Sequence, residues 1–493
     1  MRYKIILIAT LILGVAVIIL AQFSIPTLFD ADGYYHIRLA KFISQYGPYL
    51  NFHWARYSIL ADHFADKDFL YHLLLIPFAL LPNMFLGTKI AATIFATGLF
   101  LVFFWLLRRY AKLGLAAPFL VIFFLAPHFL AAISFPRPRV LILALTLLFV
   151  HFLIKKNWRA LALISIIYSL THSTGPFLLL FALLVESVRY IDERRFETKT
   201  IFGVGAGVVI GALIHPHFPN NLLMFYLNAI LTPAYGLKWG LELGAEMFPL
   251  STRDFALEYP FILGGVMLLL ALAASSGNKT RTATKIWMAM AGLFFGLSFF
   301  SHYYVVHSYP FILLAVAAYI SDWWDSRGHL LGIFSHKILM RRLAPVIIAV
   351  VLAVAGLNTY KSFCYLAIAQ MYYNLHYERI AKWMSENIPP GELIFHTNWS
   401  DGQYFIGLNP RDDYFVAMDA LYMYYRDPKK YKLYREVSFG RASDPYTVLK
   451  DDFGVRYGYA GKNYFSGLIQ QIRPDSRFEI LAEDGMGLVF KLK

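Results

Sequence analysis

The chain has one cysteine, Cys364, in 493 residues, so no intrachain disulfide can form. One thiol says little about redox compartment, and it reads as a small apolar group near a helix end. Charge is scarce too. Asp, Glu, Lys and Arg make up 15% of the residues, against 58% hydrophobic and 17% aromatic, and mean hydropathy is +0.52. A soluble chain of this length needs less apolar surface, so the composition points to an integral membrane protein. Also missing are a Gly-rich phosphate loop after a strand, a nucleophile elbow, an HExxH pattern and any internal repeat. Nothing marks a cytosolic nucleotide-binding domain. The net charge of +14 does not point to nucleic acid, because Lys and Arg sit mainly in short loops between apolar runs.

Apolar runs that could cross a bilayer begin near Lys4, Thr88, Gly114, Arg139, Trp158, Gly175, Ile201, Pro260, Ile286, Ser308 and Leu343. That predicts about eleven transmembrane helices, the fifth and seventh being short. The first run follows two cations and is long enough to be a retained span rather than a cleaved signal. Tyr71 to Leu81 is too short to cross and is punctuated by Pro77 and Pro82, so it is expected to be re-entrant or surface-lying. With the N-terminus in the cytoplasm, the inner loops carry Arg108, Arg109 and Lys112; Lys155, Lys156 and Arg159; Arg189, Arg194, Arg195 and Lys199; Lys279, Arg281 and Lys285; and Arg327, Lys337, Arg341 and Arg342. The outer loops hold far fewer cations, as the positive-inside rule requires. The expected architecture is a polytopic membrane domain over 1–364, with outer loops 24–87 and 215–259, followed by an extracytoplasmic α/β domain over 365–493.

In that last region "HYERIAKWMSENI" reads as an amphipathic helix and "PPGE" as a turn. "LIFHTNW", "DYFVAMD", "VRYGYA" and "FEILAE" read as strands, with helices such as "DPKKYKLYREV" between them.

Titratable residues gather on one side of this topology. Of 15 histidines only His151, His329 and His336 map to the inner face. His128, His172, His215, His217, His302 and His307 come from different spans yet share the outer level with Asp30, Asp32, His36, Glu242, Glu246 and Glu258. A belt of interfacial anchors should decorate both faces, so the asymmetry predicts a polar cavity on the outer side. The stretch "FDADGYYHIR", residues 29–38, opens the first outer loop. Tyr34, Tyr35, Ile37, Leu39 and Ala40 suit a helix lying flat at the interface with its apolar face down. Asp30 and Asp32 could cap that helix. Asp30, at the end of a transmembrane run, could instead accept a proton from a hydroxyl or amide, or ligate a divalent cation.

A span followed by Phe29, Asp30, Tyr34, Tyr35, His36 and Arg38 resembles the first-loop acidic motif of the GT-C glycosyltransferases, the oligosaccharyltransferase catalytic subunit above all. The resemblance implies a sugar or oligosaccharide taken from a polyprenyl phosphate or diphosphate carrier and transferred to an acceptor on the outer face. It implies Asp30 as the catalytic or metal-binding carboxylate. "GAEMFP" is similar to a short loop motif ending in Glu, which implies for Glu246 a role as a second acid, as metal ligand or acceptor positioner. A divalent cation, Mg or Mn, held by Asp30 and Glu246 is the candidate cofactor. "NWSDGQY" matches the acceptor-binding Trp-Trp-Asp motif at Trp399, Asp401 and Gly402, without the doubled Trp. "ISFPRPRV" lacks the acidic pair of the second loop.

Other candidates complete the set. Arg137 and Arg139 in "FPRPRV" are cations on the outer side, and one of them could grip the carrier phosphate or a lipid headgroup. His215 and His217 in "HPHFP" could present both rings to a metal, a phosphate or a sugar. Asp32, His36 and Arg38 are further candidates for substrate contact. A different class of function, a transporter or lipid-binding membrane protein with an outer sensing domain, would place polar groups at span centres and often repeat its halves. Here span centres are apolar.

Overall fold

A computed structural model of the protein describes residues 2–236, 238–275, 280–326, 338–462 and 465–493. Lys279, Arg327, His329, His336 and Lys337 lie outside the described residues. The chain forms two compact units. A helical unit comprises Met1–Pro26, Ile90–Ala212 and Gly244–Ala369, and a mixed unit comprises Thr27–Lys89, Leu213–Leu243 and Gln370–Lys493. Much of the first expected outer loop and the start of the second thus belong to the same unit as the C-terminal region.

Each of the eleven apolar runs falls on a helix, but few are long. Among the described residues four helices are long and apolar enough to cross a membrane: Tyr3–Gln22, Met84–Tyr110, Tyr303–Ser326 and Ala349–Asn387. Two bent pairs raise the number to six: Leu113–Ile122 with Pro127–Ser134, bent by 82°, and Thr252–Glu258 with Phe261–Ala271, bent by 91°. Arg139–Ile154, Trp158–Thr171 and Thr198–Leu213 are only 14 to 16 residues long. At about 1.5 Å per residue they reach about 21–24 Å, short of the roughly 30 Å hydrocarbon core. On the first helix Ile5, Ile6, Ile8, Ile12, Leu13 and Leu20 are each more than half exposed. Apolar side chains bared on that scale suit lipid, and the chain is a membrane protein.

Small residues bring helices together in the helical unit. Gly203, Gly207 and Gly211 form one stripe of Thr198–Leu213 facing Trp158–Thr171. A Cβ added at these positions would fall 2.6 Å from Trp158 O, 2.3 Å from Ala162 O and 2.8 Å from Ser169 Cβ. This is the small-xxx-small contact by which membrane helices gain close packing where no hydrophobic effect drives association. Arg189 and Glu186, both fully buried, pair below it. Glu186 also accepts from Thr200 Oγ1 (2.7 Å) and the Glu197 amide (3.0 Å), and Arg189 donates to Leu153 O (2.6 Å).

The mixed unit is built on a five-stranded sheet of order β2-β1-β3-β5-β4. Its strands are β1 Leu393–His396, β2 Asp413–Tyr414, β3 Tyr457–Gly461, β4 Phe478–Glu483 and β5 Gly487–Leu492. β1 runs parallel to β2 and β3, and β5 runs antiparallel to β3 and β4. β1 is buried along its whole length, as a central parallel strand should be. Sequence reading located β1, β3 and β4 and overlooked β5. "DYFVAMD" yields only the two residues of β2, because first-loop residues take over its edge. Tyr414 N donates to Trp54 O, and Arg56 N and Tyr57 N donate to Tyr414 O and Phe415 O. "DPKKYKLYREV" is helical from Pro428, with Asp427 capping Lys429 and Lys430. The segment expected to break at its prolines forms the helix Phe69–Ala79, with Pro77 inside it.

Candidate functional site

Asp30 stands at the N-cap position of the helix Ala31–Tyr46, with extended backbone (φ −158°, ψ 149°). Its side chain makes no capping hydrogen bond to that helix, although the residue is buried. Asp32 lies in the first turn, where the helix dipole favours an anion. The helix stops at Gly47, whose φ of +79° is the left-handed conformation that glycine adopts without a Cβ clash. Tyr34, Tyr35, Ile37, Leu39 and Ala40, the face expected to rest on lipid, are all buried in protein. The reason is a partner helix, Asp401–Leu408. A Cβ on Gly407 would fall 2.6 Å from the Tyr34 carbonyl carbon, so the backbones nearly touch. Arg38 Nε donates to Gly407 O at 2.9 Å, and Tyr34 Oη donates to Glu378 Oε1 at 2.6 Å.

The irregular stretch leading into Asp30 is pinned by Asn374. This fully buried amide donates to Leu28 O (2.5 Å) and Thr27 Oγ1 (3.3 Å), and accepts from Tyr404 Oη (2.6 Å) and Gln370 Nε2 (2.9 Å). Tyr404 stacks flat on Tyr377, with centroids 4.0 Å apart. Tyr377 Oη in turn donates to Asp401 Oδ1 at 2.5 Å, while Asp401 Oδ2 accepts from the Asn398 amide at 3.2 Å. Asp401 therefore braces this wall, and burial pushes its carboxyl up to about 7. Trp399 is partly buried against the core of the mixed unit.

A second buried group was not singled out in the sequence. Asp66 Oδ2 lies 2.7 Å from His72 Nδ1, and His72 Nε2 lies 2.7 Å from His36 Nδ1. Lys67 and Asp68 follow Asp66. Burial, with Asp66 and Asp32 nearby, pushes the Asp68 carboxyl up to about 6 despite Lys67 and His72. Burial would depress Lys67, but Asp68, Asp32 and Asp419 outweigh it and raise the ammonium. The signal was present in "ADKDFLYH", residues 65–72, where charges abut a short apolar helix and His72 follows Asp68 by four.

His215 and His217 hold this loop and use both ring nitrogens doing so. His215 Nε2 contacts Asp66 O at 3.1 Å, and its Nδ1 accepts the His217 amide at 3.1 Å. His217 Nε2 contacts Pro48 O at 2.8 Å, and its Nδ1 faces the Asp66 amide at 3.4 Å. A carbonyl partner requires Nε2–H and an amide partner requires a bare Nδ1, so both rings are neutral. Burial lowers both, His215 to about 4. The pair is thus a clamp on Asp66, and its ring nitrogens are not presented to a metal.

The helical unit holds the other candidates. Arg137 Nη1 lies 3.3 Å from Glu246 Oε1. Arg139 is nearly buried, with its guanidinium 4.3 Å from the Tyr303 ring centroid. Burial would raise Glu246, but Arg137 and Arg139 outweigh it and hold the carboxyl down at about 2. Ser301 Oγ donates to Glu246 O at 2.6 Å, His302 N donates to Phe248 O at 2.8 Å, and His302 Nε2 lies 3.4 Å from Tyr259 Oη. His128 Nδ1 is 3.2 Å from Glu258, and His307 Nδ1 is 3.2 Å from Tyr303 O. His172 bonds locally to Thr174, and Glu242 pairs with Arg435 inside the mixed unit. The expected cluster of outer-level groups is thus divided: Asp30, Asp32, His36, Arg38, His215 and His217 belong to the mixed unit, and Arg137, Arg139 and Glu246 to the helical unit. Among the described residues no three His, Cys, Asp or Glu side chains gather where they could hold a metal ion.

No protein-family model matches the sequence, and no curated protein is significantly similar to it. Solved structures are similar in fold. The Archaeoglobus fulgidus oligosaccharyltransferase in its apo form superposes with a TM-score of 0.63 at 13% identity, over 92% of this chain and 69% of that one. The same organism's AglB, in complex with an inhibitory peptide and a dolichol-phosphate, gives 0.61 at 13% identity over the same shares. ArnT from Cupriavidus metallidurans, bound to undecaprenyl phosphate, gives 0.60 at 12% identity, over 98% of this chain and 97% of that one. The chain has the GT-C fold, a set of membrane helices with a small C-terminal sheet.

Proposed function

We propose that this protein is a membrane glycosyltransferase that moves a sugar or oligosaccharide from a polyprenyl phosphate or diphosphate carrier to an acceptor on the outer face of the membrane. The observation that carries the reading is Asp30: a buried carboxylate at the start of the helix Ala31–Tyr46, on a fold whose solved examples include structures with dolichol-phosphate and undecaprenyl phosphate. In this reading the N-terminus is cytoplasmic and residues 365–493 are extracytoplasmic.

Asp30 acts as the general base, or ligates the donor's cation. Asp32, His36 and Arg38 share its helix and line the acceptor side, with Trp399 and Asp401 bracing them. Glu246 differs from Asp30 in kind. A carboxyl held at about 2 by two arginines is a permanent anion and a poor base. It suits a cation or a positioning role, while Arg137 and Arg139 supply fixed positive charge for the leaving phosphate. A divalent cation, Mg or Mn, belongs to this proposal as a partner of the donor phosphate. Mg²⁺ commonly takes only one or two carboxylates beside phosphate oxygens. No step is assigned to it.

The test is transfer by the full-length protein in proteoliposomes, using radiolabelled polyprenyl-phosphate sugars with and without a chelator. Asp30→Asn should lower transfer at least about 100-fold, the lower range for a general base, while carrier lipid still binds. Undiminished transfer by that variant rejects the assignment of Asp30.

A further inference from the structure

Residues 220–235, in the second expected outer loop, are helical throughout: Asn220–Phe225, then a π-helical turn Tyr226–Leu231, then Thr232–Tyr235. The segment belongs to the mixed unit, and its polarity is inverted. Met224, Leu227, Leu231 and Thr232 are buried in the unit. The polar side chains in its second half are satisfied there too. Asn228 Nδ2 donates to Met224 O at 2.8 Å, Asn228 Oδ1 accepts from Tyr422 Oη at 2.8 Å, and Thr232 Oγ1 donates to Leu227 O at 3.1 Å. The outward stripe is apolar and bare: Leu222, Tyr226 and Ile230, with Phe218 just before them, are between 39% and 46% exposed. A helix on a water-facing surface shows the reverse. From 218 to 237 the chain has no Asp, Glu, Lys or Arg. A spacing of four exceeds the 3.6 residues of an α-turn, so such a stripe drifts by about 40° per step. The π turn, closed by i→i+5 bonds, takes more residues per turn and offsets that drift between Tyr226 and Ile230.

We propose that residues 218–235 form an interfacial helix that seats the mixed unit in one leaflet of the bilayer, the outer one under the topology proposed above. Phe218, Leu222, Tyr226 and Ile230 enter the upper acyl chains. At about 1.5 Å per residue, residues 220–235 reach about 24 Å, short of the roughly 30 Å hydrocarbon core, so they do not cross it. Both ends are tied to the same unit. Before the helix, His217 Nε2 contacts Pro48 O at 2.8 Å and Asn220 Nδ2 donates to Phe64 O at 3.4 Å. After it, the Glu242 amide donates to Tyr431 Oη at 3.2 Å, and the Glu242 carboxylate pairs with Arg435. A helix that starts and ends on one side of the membrane, with one bare apolar face, lies in the plane of the interface. Tyr226 is the one member of the stripe with a polar side-chain atom, and a tyrosine hydroxyl suits the headgroup level. At the far end Tyr235 stacks on Trp239 (5.1 Å) and Trp239 on Tyr424 (5.2 Å), aromatics of the kind that mark that level. The unit also holds the first residues of the membrane-crossing helix Met84–Tyr110, where Leu86 is exposed, so its own chain leads into the bilayer.

The test is nitroxide accessibility in the full-length protein, reconstituted in nanodiscs. In a Cys364→Ser background, Leu222→Cys, Tyr226→Cys and Ile230→Cys are spin-labelled one at a time. Lys429→Cys, at an exposed position of the same unit, serves as the aqueous reference. Three stripe positions are used so that loss of one variant leaves two readable. Labels at 222, 226 and 230 should be relaxed by dissolved oxygen in preference to a water-soluble nickel chelate, and the label at 429 should show the opposite preference. The three should share a common depth of about 5–10 Å below the headgroup boundary. An upright helix would instead spread them over about 12 Å, and that result overturns the proposal. Nickel access equal to that at 429 puts the stripe in water and overturns it. Shielding from both reagents shows that protein, a second copy of the chain for example, covers the stripe, and overturns it as well. None of these readings depends on sugar transfer, so the seat and the enzymatic reading fail separately.

Discussion

Some of the most deeply buried carboxylates of the two units meet different partners, although Glu242 of the mixed unit also meets Arg435 and Glu258 of the helical unit meets His128. In the helical unit Glu186 is answered by Arg189, and Asp322 by Arg281. In the mixed unit Asp66 is answered by His72 and Asp401 by Tyr377. A guanidinium is charged at any physiological pH, so its pairs are fixed and act as structural rivets. Imidazole pairs can gain or lose a proton, and phenols share one by hydrogen bonding, so the second set can move charge. Glu246, set among arginines, is equipped to remain an anion.

Breaking a rivet should have the largest effect on stability. Glu186→Gln leaves the Arg189 guanidinium buried without its anion, which should cost roughly 3–5 kcal/mol. Denaturant or thermal unfolding in detergent measures it, and a loss below about 1 kcal/mol would erase the distinction between the units. The mixed unit should respond to pH instead. Burial raises the Asp401 carboxyl from 3.8 to about 7, so between these values the folded state binds a proton that the unfolded chain has lost. Stability then falls as pH rises from about 4 to about 7. Asp401→Asn should lack that slope, so its stability relative to wild type improves across this window. Parallel pH curves for the two proteins would contradict it. The smallest effect is expected at the Arg456–Glu392 pair, 3.2 Å apart with Arg456 65% exposed. Arg456→Ala should change stability by less than about 1 kcal/mol in a low-salt unfolding assay, and by still less at high salt.

How much of this was legible in the chain can be judged residue by residue. The eleven apolar runs each fall on a helix, although among the described residues only four to six spans are long and apolar enough to cross a membrane. Their lengths were not legible: composition does not say where a 14-residue helix such as Trp158–Thr171 stops and a polar turn begins. Asp30 stood out because an acid ends a transmembrane run. His215 and His217 stood out equally, yet their rings are spent on Asp66 and Pro48. Histidines two apart look the same in a sequence whether they hold a ligand or a loop. Asp66 and His72 were overlooked since their partner His36 lies 30 or more residues away.

By itself, then, the sequence determined that this is a membrane protein with a C-terminal α/β region and an acid soon after its first apolar helix. Hydropathy and local spacing are properties of neighbouring residues, and they survive in a linear string. Only the tertiary structure decided which carboxylates meet guanidinium and which meet imidazole. It placed Arg137 beside Glu246, Asn374 beneath Leu28, and His36 against His72. The protonation state of each acid depends on those long-range neighbours and on burial, and neither can be read from the residue's place in the chain.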